Sequence, residues 1–271
     1  GFGENKKVGI FPSIAFAWVA SEEGFLKKIP YLDLLKLRLS YGSNGNRTVS
    51  RYQTLSKISY GYSYVFGDGA TPELGQWINS MSNAELGWET TTGVNVGLDF
   101  GWLNNRIRGS IDWYNSNTNG LLYDINIPTI TGFSSIATNI GELHNHGLEL
   151  TVTTQNVRKN HFSWETTANF SRNRNRVNSI IGLDTDGDGR EDDLVASNIF
   201  IGEPLGVLYN YRITGMYQIG DELPNGFYPG TYRIADLNND GVFSPDHDRK
   251  ILGNTNPGYR VSLQNHLSYK N

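Results

Sequence analysis

The sequence predicts an all-β fold: part of a large antiparallel transmembrane β-barrel of the outer-membrane type, with long extracellular loops. Three observations carry the prediction. Apolar and polar residues alternate with period two in runs of about 9–13 residues, where soluble strands usually have about 5–6 and tilted membrane-crossing strands about 9–11. Aromatic residues gather near the run ends, among them Trp18, Tyr41, Trp88, Trp102, Trp113, Tyr259 and Tyr269, where amphipathic rings suit the two membrane interfaces. The connections alternate between short and long, as periplasmic turns and extracellular loops do in such barrels. The competing arrangement is a soluble β-sandwich, in which the apolar faces would meet in a core.

Seven strands follow in order. Val8, Ile10, Ile14, Phe16 and Trp18 form the apolar face of a strand over 8–18. Residues 19–33 then break the alternation. Ser21 ahead of Glu22 and Glu23 reads as a helix start and Pro30 as its interruption, which predicts one or two helical turns beneath the wall. Leu35, Leu37, Leu39 and Tyr41 face away from Lys36, Arg38 and Ser40. Val94, Val96, Leu98 and Phe100 oppose Asn95, Gly97 and Asp99, and Ile107, Ile111 and Trp113 oppose Arg108, Ser110 and Asp112. Leu148, Leu150 and Val152 oppose Glu149, Thr151 and Thr153. Phe162, Trp164, Ala168 and Phe170 make the sixth apolar face; Val261, Leu263 and Leu267 belong to the seventh. Residues 103–105 and 157–160 read as tight turns. The segments 43–88, 118–145 and 172–257 read as loops, with extra strands in the last near Tyr209 to Tyr217. Single-chain bacterial barrels have an even number of strands, eight or more, so seven do not close. Residues 1–271 are therefore expected to be a single partial barrel domain, a fragment whose open edges would not fold alone.

Composition excludes other classes. The net charge is −4, charged residues are 18%, and no Lys/Arg block occurs, which excludes a basic nucleic-acid binder. The count of cysteines is 0, which rules out disulfides, thiolate metal sites and a catalytic thiol. No apolar stretch approaches the length of a transmembrane helix. No nucleophile elbow, phosphate loop or dinucleotide fingerprint is present, and nothing sets two carboxylates opposite each other for glycosidic chemistry. The expectation is a protein that is not an enzyme.

A series of motifs then carries a family resemblance: FPSIAFAW, LKLRLSYGSNGN, the Asn83-to-Thr90 stretch NAELGWET, IDWYNSNTNGLL, NIGELHNHGLEL, WETTANFSRNRNRV, GEPLGVLYNY and DLNNDGVFSPDHDRKILGNTNPGY. Together they resemble the C-terminal barrel of SusC/RagA-type TonB-dependent transporters of Bacteroidetes outer membranes. The resemblance covers nearly the whole chain. It implies a 22-stranded barrel, with a plug domain and terminal strands that are not visible here. It also implies localisation in the Gram-negative cell outer membrane and import of a glycan, oligosaccharide or peptide. The implied partners are a SusD-like surface lipoprotein and the TonB complex acting through the plug. By that topology 43–88 and 172–257 lie outside the cell. The alternative function is a secreted, calcium-stabilised all-β carbohydrate-binding module.

Candidate site residues fall in three groups. Lys36, Arg38, Asn95, Asp99, Arg106, Arg108, Asp112 and Glu149 alternate away from the apolar faces and are lumen candidates. Tyr60, Tyr62, Tyr64, Phe66 and Trp77 are substrate-binding candidates, because aromatic faces stack on sugar rings; packing within the loop is the competing role. Asp184, Asp186 and Asp188, and Asp236, Asn238 and Asp240, match the opening of a calcium loop, where alternate oxygens bind and glycine makes the turn. Neither completes the pattern. His247 stands where the bidentate Glu belongs, with Asp248 adjacent and Asp246 close by. In the first loop Val195 stands there, leaving Asp192 and Asp193 as substitutes. Solvated Asp/Asn/Gly turns are the plain alternative to Ca²⁺. Finally, Arg172, Arg174 and Arg176 alternate at a strand lip, which suits either solvent or anionic sugars and lipopolysaccharide phosphates.

Overall fold

The computed structural model describes residues 2–3, 6–47, 52–65, 72–127 and 129–270, and of Tyr62 and Asn126 the backbone alone. The strands are β1 (Ser13–Val19), β2 (Leu32–Asn46), β3 (Lys57–Val65), β4 (Pro72–Ser80), β5 (Glu89–Trp102), β6 (Ile107–Asn126) and β7 (Ser135–Lys159). They continue with β8 (Phe162–Ser179), β9 (Val207–Tyr211), β10 (Ile213–Met216), β11 (Tyr232–Ile234), β12 (Arg249–Asn254) and β13 (Arg260–Tyr269). Seven of them form one antiparallel sheet in the order β1-β2-β5-β6-β7-β8-β13, and each corresponds to one of the seven predicted alternations. The hairpin β3–β4 and the two-stranded sheets β9–β12 and β10–β11 belong to the long connections, the latter two covering the Tyr209–Tyr217 stretch read as strand.

The apolar face of the wall is bare. Phe16 is 60% exposed, Val261 67% and Leu263 68%. No second sheet covers that face among the described residues. A sandwich would bury these side chains, whereas a barrel wall presents them to lipid.

Several predicted boundaries move; β2 runs on to Asn46 and β8 to Ser179, past the starts of the loops placed at 43 and 172. The first strand begins at Ser13 rather than Val8, because Pro12 has no N–H to give the ladder; its carbonyl instead accepts from Ser43 N at 2.9 Å. The turn placed at 157–160 shifts to 160–161, since a bulge between Gln155 and Val157 carries β7 on to Lys159. The largest change concerns 118–145. Strands β6 and β7 stay paired from Ile107↔Thr154 to Asn126↔Ser135, so the predicted loop shrinks to a tip over 127–134. Beyond the membrane neither face needs to be uniformly apolar, and the alternation fades while the backbone ladder continues.

The expected helical break is there as a 3₁₀ turn, Ala20–Glu22, followed by turns in which Lys27 N donates to Glu23 O at 2.8 Å and Ile29 N to Leu26 O at 2.9 Å. The 103–105 turn runs through three left-handed residues, each at φ 58°. Asn105 N donates to Asp33 Oδ2 at 2.8 Å, which ties the turn to β2. At the other end of the sheet Ile140, Leu143, Val177, Ile180 and Ile199 form a small buried cluster, so the start of the 180–259 connection packs against the extended β7 and β8.

Candidate functional site: the polar face and the outer loops

The wall register brings most of the lumen candidates together. Lys36 pairs with Asp99, Arg38 with Gly97, and Gly97 with Asp112, which in turn faces Glu149. Gly97 leaves the gap: a Cβ there would lie 2.5 Å from Arg38 Cζ. The guanidinium therefore lies across β5 and reaches carboxylates on both sides. Arg38 Nε and Nη2 donate to Asp99 Oδ2 and Oδ1 at 2.9 and 2.8 Å, a two-pronged bond, while Nη1 lies 2.9 Å from Asp112 Oδ1. Lys36 Nζ adds a looser contact to Asp99 at 3.9 Å. Arg108 pairs with Glu165 at 2.8 Å, spanning β7. Asn95 faces Ser40 and Tyr114 across the ladder. In the same row as Lys36 and Asp99 runs a hydroxyl and amide ladder: Thr151 Oγ1 donates to Asn169 Oδ1 at 2.9 Å, and Asn169 Nδ2 to Ser262 Oγ at 3.1 Å. Such a face is hydrated and mixed in charge, with its strongest charges already neutralised by neighbours. Arg106 departs from the expectation. It sits in the turn before β6 and donates to the carbonyls of Gln155 and Asn156, at 3.4 and 3.2 Å, so it closes the rim instead of lining the wall.

The tyrosine candidates lie on the β3–β4 hairpin, but a bulge divides them. Tyr60 pairs with Gln76 and Tyr64 with Glu73, three residues apart on β4, which puts the two tyrosines on opposite faces. Tyr64 shares its face with Trp77, and both rings are partly exposed, at 45% and 38%. Gly61, at φ 146°, sits beside the bulge with the Trp77 ring edge against it. Tyr60 is 66% exposed on the other side. The side chain of Tyr62, and all of Phe66, lie outside the described residues.

The aspartate loops are built from side-chain-to-backbone bonds. Asp184 accepts from Gly187 N and Gly189 N at 2.7 and 3.0 Å, and Asp188 from Arg190 N at 2.8 Å. One carboxylate oxygen from each of Asp184, Asp186 and Asp188 lies within 4.8 Å of the others. The expected substitutes are used elsewhere: Asp192 accepts from Thr185 N at 2.7 Å and from its hydroxyl, and Asp193 accepts from Ile201 N at 2.7 Å. The Thr185 bonds hold the Asp192 carboxyl below the usual carboxylate range. In the second loop Asp236 Oδ2 accepts from Gly241 N at 2.8 Å, while its Oδ1 is buried with no hydrogen-bond partner. Asp240 accepts from Val242 N and Asn238 Nδ2, both at 2.7 Å, and these two bonds lower its pKa. Asp248 is fully buried and accepts from Leu237 N and Ser244 N, each at 2.8 Å. For a hard cation the fit is partial. The first loop offers three converging but exposed carboxylates; the second offers one orphaned buried oxygen beside groups bonded to one another.

Three residues that organise this region were not singled out from the sequence, although Glu89 and Asn139 lie within two of the motifs that carry the family resemblance. Asn139 bonds both the N–H and the carbonyl of Gly87, at 2.6 and 3.0 Å, and also the carbonyl of Gly120 at 2.8 Å. Glu89 accepts from Leu122 N and Asn46 Nδ2, both at 3.1 Å. Glu191 accepts from Ile180 N and Gly182 N at 2.6 Å and so closes the first aspartate loop. Asn139 and Glu191 sit in stretches read as loop and Glu89 just past the end of one, where a lone polar residue carries no periodicity.

Known proteins match most or all of the chain. The TonB dependent receptor-like β-barrel family covers residues 2–270. TonB-dependent receptor P3 of Formosa agariphila is 35% identical over 285 residues, covering 100% of this chain and 28% of that protein. TonB-dependent receptor SusC of Bacteroides thetaiotaomicron is 36% identical over 192 residues, 68% of this chain and 18% of SusC. Among solved structures, the RagAB peptide transporter superposes with a TM-score of 0.78 at 24% identity, covering 99% of this chain and 29% of that one, a likeness of fold. The chain thus spans about 28% of the length of receptor P3 and less than a third of the other relatives it matches.

Proposed function

This chain belongs to the TonB-dependent receptor-like β-barrel family, and from that premise we propose that it supplies wall strands and extracellular loops to a TonB-driven importer. The family places the wall in the outer membrane, as the resemblance implied. The cargo we propose is a glycan or oligosaccharide, passed in from a SusD-like surface lipoprotein seated over the loops. TonB would act through a plug region carried elsewhere in such receptors. The observation that carries this reading is the family match over 2–270 together with a wall whose apolar face is bare and whose other face is polar and ion-paired. Partly exposed Tyr64 and Trp77 on one hairpin face support a sugar, since rings of that kind stack on pyranose faces. A peptide is the second reading, favoured by the RagAB peptide transporter having this fold. In this reading the chain's named residues act by positioning.

Ca²⁺ is the proposed ion for the two aspartate loops, with Asp236, Asp240 and Asp248 framing one and Asp184, Asp186 and Asp188 the other. The orphaned Asp236 Oδ1 supports it. Calorimetric titration of the whole receptor with Ca²⁺ should give saturable heat that D236N/D240N reduces; no heat would refute it. For transport, a strain lacking the gene should lose growth on one class of oligosaccharide as sole carbon source and regain it on complementation. Loss on oligopeptides alone would favour the second reading, and unchanged growth on both would overturn import.

A further inference from the structure

The apolar face of the wall does not stay apolar to the top of the strands. On β8, Ala168 and Phe170 are followed on the same face by Arg172, Arg174 and Arg176. The register sets these opposite Leu148, His146 and His144 on β7, and Leu148 opposite Trp113 on β6. The three arginines therefore stand directly above the lipid-facing band, over about 13 Å at ~3.3 Å per residue. Arg172 and Arg176 are exposed and Arg174 is half-buried. No carboxylate among the described residues lies within ion-pair distance of them. The contrast with the polar face is sharp, because there Arg38 and Arg108 both have carboxylate partners. The opposite face at this height is occupied: Leu143 and Val177 pack in the buried cluster under residue 199. Hence the arginines are left on the outward side; a nearby carboxylate, Glu142, two residues before His144, is taken by Asn178 Nδ2 at 3.4 Å, which leaves the three guanidinium groups to anions of the surrounding leaflet.

We propose that Arg172, Arg174 and Arg176, with His144 and His146 beside them, form a binding site for the phosphate groups of an outer-leaflet glycolipid. Guanidinium groups two residues apart on one face suit separate phosphates, each taken by a two-pronged bond. The acyl chains would then lie along Trp113, Leu148 and Phe170. This goes beyond import and rests only on the placement of the wall in the outer membrane.

The test uses the whole receptor, purified in mild detergent and delipidated. Diphosphorylated lipid A, its monophosphorylated form and a fully dephosphorylated form are titrated against it, with inorganic phosphate as competitor. The expected affinity falls in that order of lipids. R172Q/R174Q/R176Q should bind the diphosphorylated lipid at least tenfold more weakly, while R158Q/K159Q, at the opposite rim, should bind normally. Equal binding of dephosphorylated lipid by the unaltered receptor would overturn the proposal, and that comparison needs no variant to fold. Complete competition by millimolar phosphate would also overturn it, by reducing the site to one for the free anion. Nutrient uptake in cells should be unchanged by the triple substitution, which separates this inference from the import reading.

Discussion

The wall and the 180–259 connection solve the same problem by opposite means. In the wall, order comes from register. Each strand pairs along its whole length, large apolar side chains such as Leu263 stand exposed, and the solvent that stabilises them is lipid. In the connection, strands are three to six residues long, and order comes from carboxylates capping backbone N–H groups: Asp184, Glu191, Asp192, Asp193, Asp236 and Asp248 each hold at least one. The difference teaches that a segment in water must satisfy its own backbone, whereas a segment in a membrane must do so through its neighbours.

The sharpest way to break the comparison is to put a charge on each kind of apolar residue. Ile111→Arg, between Leu98 and Leu150 in the middle of the apolar band, should cost about 2–4 kcal/mol in a refolding titration into bilayers. The same change at Ile219, 94% exposed in the connection, should stay within about 0.5 kcal/mol. Equal costs would mean that the wall face does not meet lipid.

On the polar face, Arg38→Met leaves Asp99 and Asp112 without their shared partner. A loss of about 1–3 kcal/mol is expected, discounted because the pair is only partly buried. A double-mutant cycle with Asp99→Asn should recover part of it as coupling. Additive losses would show that the network contributes nothing jointly.

A smaller, local effect is expected at Asp248→Ala, which orphans two N–H groups. Hydrogen exchange should quicken by roughly 5- to 150-fold over 236–248, from about 1–3 kcal/mol of lost local stability, with the wall unchanged. Uniform quickening across β5–β8 would contradict the separation of the two regions.

The smallest effect concerns pH. Asp192 and Asp240 have lowered carboxyl pKa values, through bonds from Thr185 and from Val242 and Asn238. A depressed folded value contributes stability that is present above the ordinary carboxylate pKa of about 3.9 and is lost as pH falls through the folded value. Limited proteolysis should find both loops equally protected from pH 7 to about pH 5 and progressively opened below about pH 4. Opening near neutral pH would assign the transition to other groups.

How much of this was legible follows the same division. Leu35 to Tyr41 and Val94 to Phe100 announced their strands and faces, because lipid demands strict alternation. The 118–145 stretch did not: Leu121 and Leu122 stand side by side, yet the ladder pairs them with Ile140 and Asn139 and runs on to Asn126. The carboxylates of the lumen candidates were legible by parity, but the reach of Arg38 across Gly97 depended on register. The bulge that parts Tyr60 from Tyr64 left only Gly61 as a trace.

The central claim is that alternate residues of one strand meet lipid and lumen. The chain contains 0 cysteines, so single cysteines at 94, 95, 96, 98 and 99 in β5 can be spin-labelled in the whole receptor, with any cysteines elsewhere removed. Collision rates with oxygen and with a water-soluble nickel chelate would then be measured in bilayers. Positions 94, 96 and 98 should favour oxygen and positions 95 and 99 the chelate, with period two; Gly97 is left unlabelled because a side chain there would displace Arg38. A profile without that period, or chelate access at every position, would contradict the account.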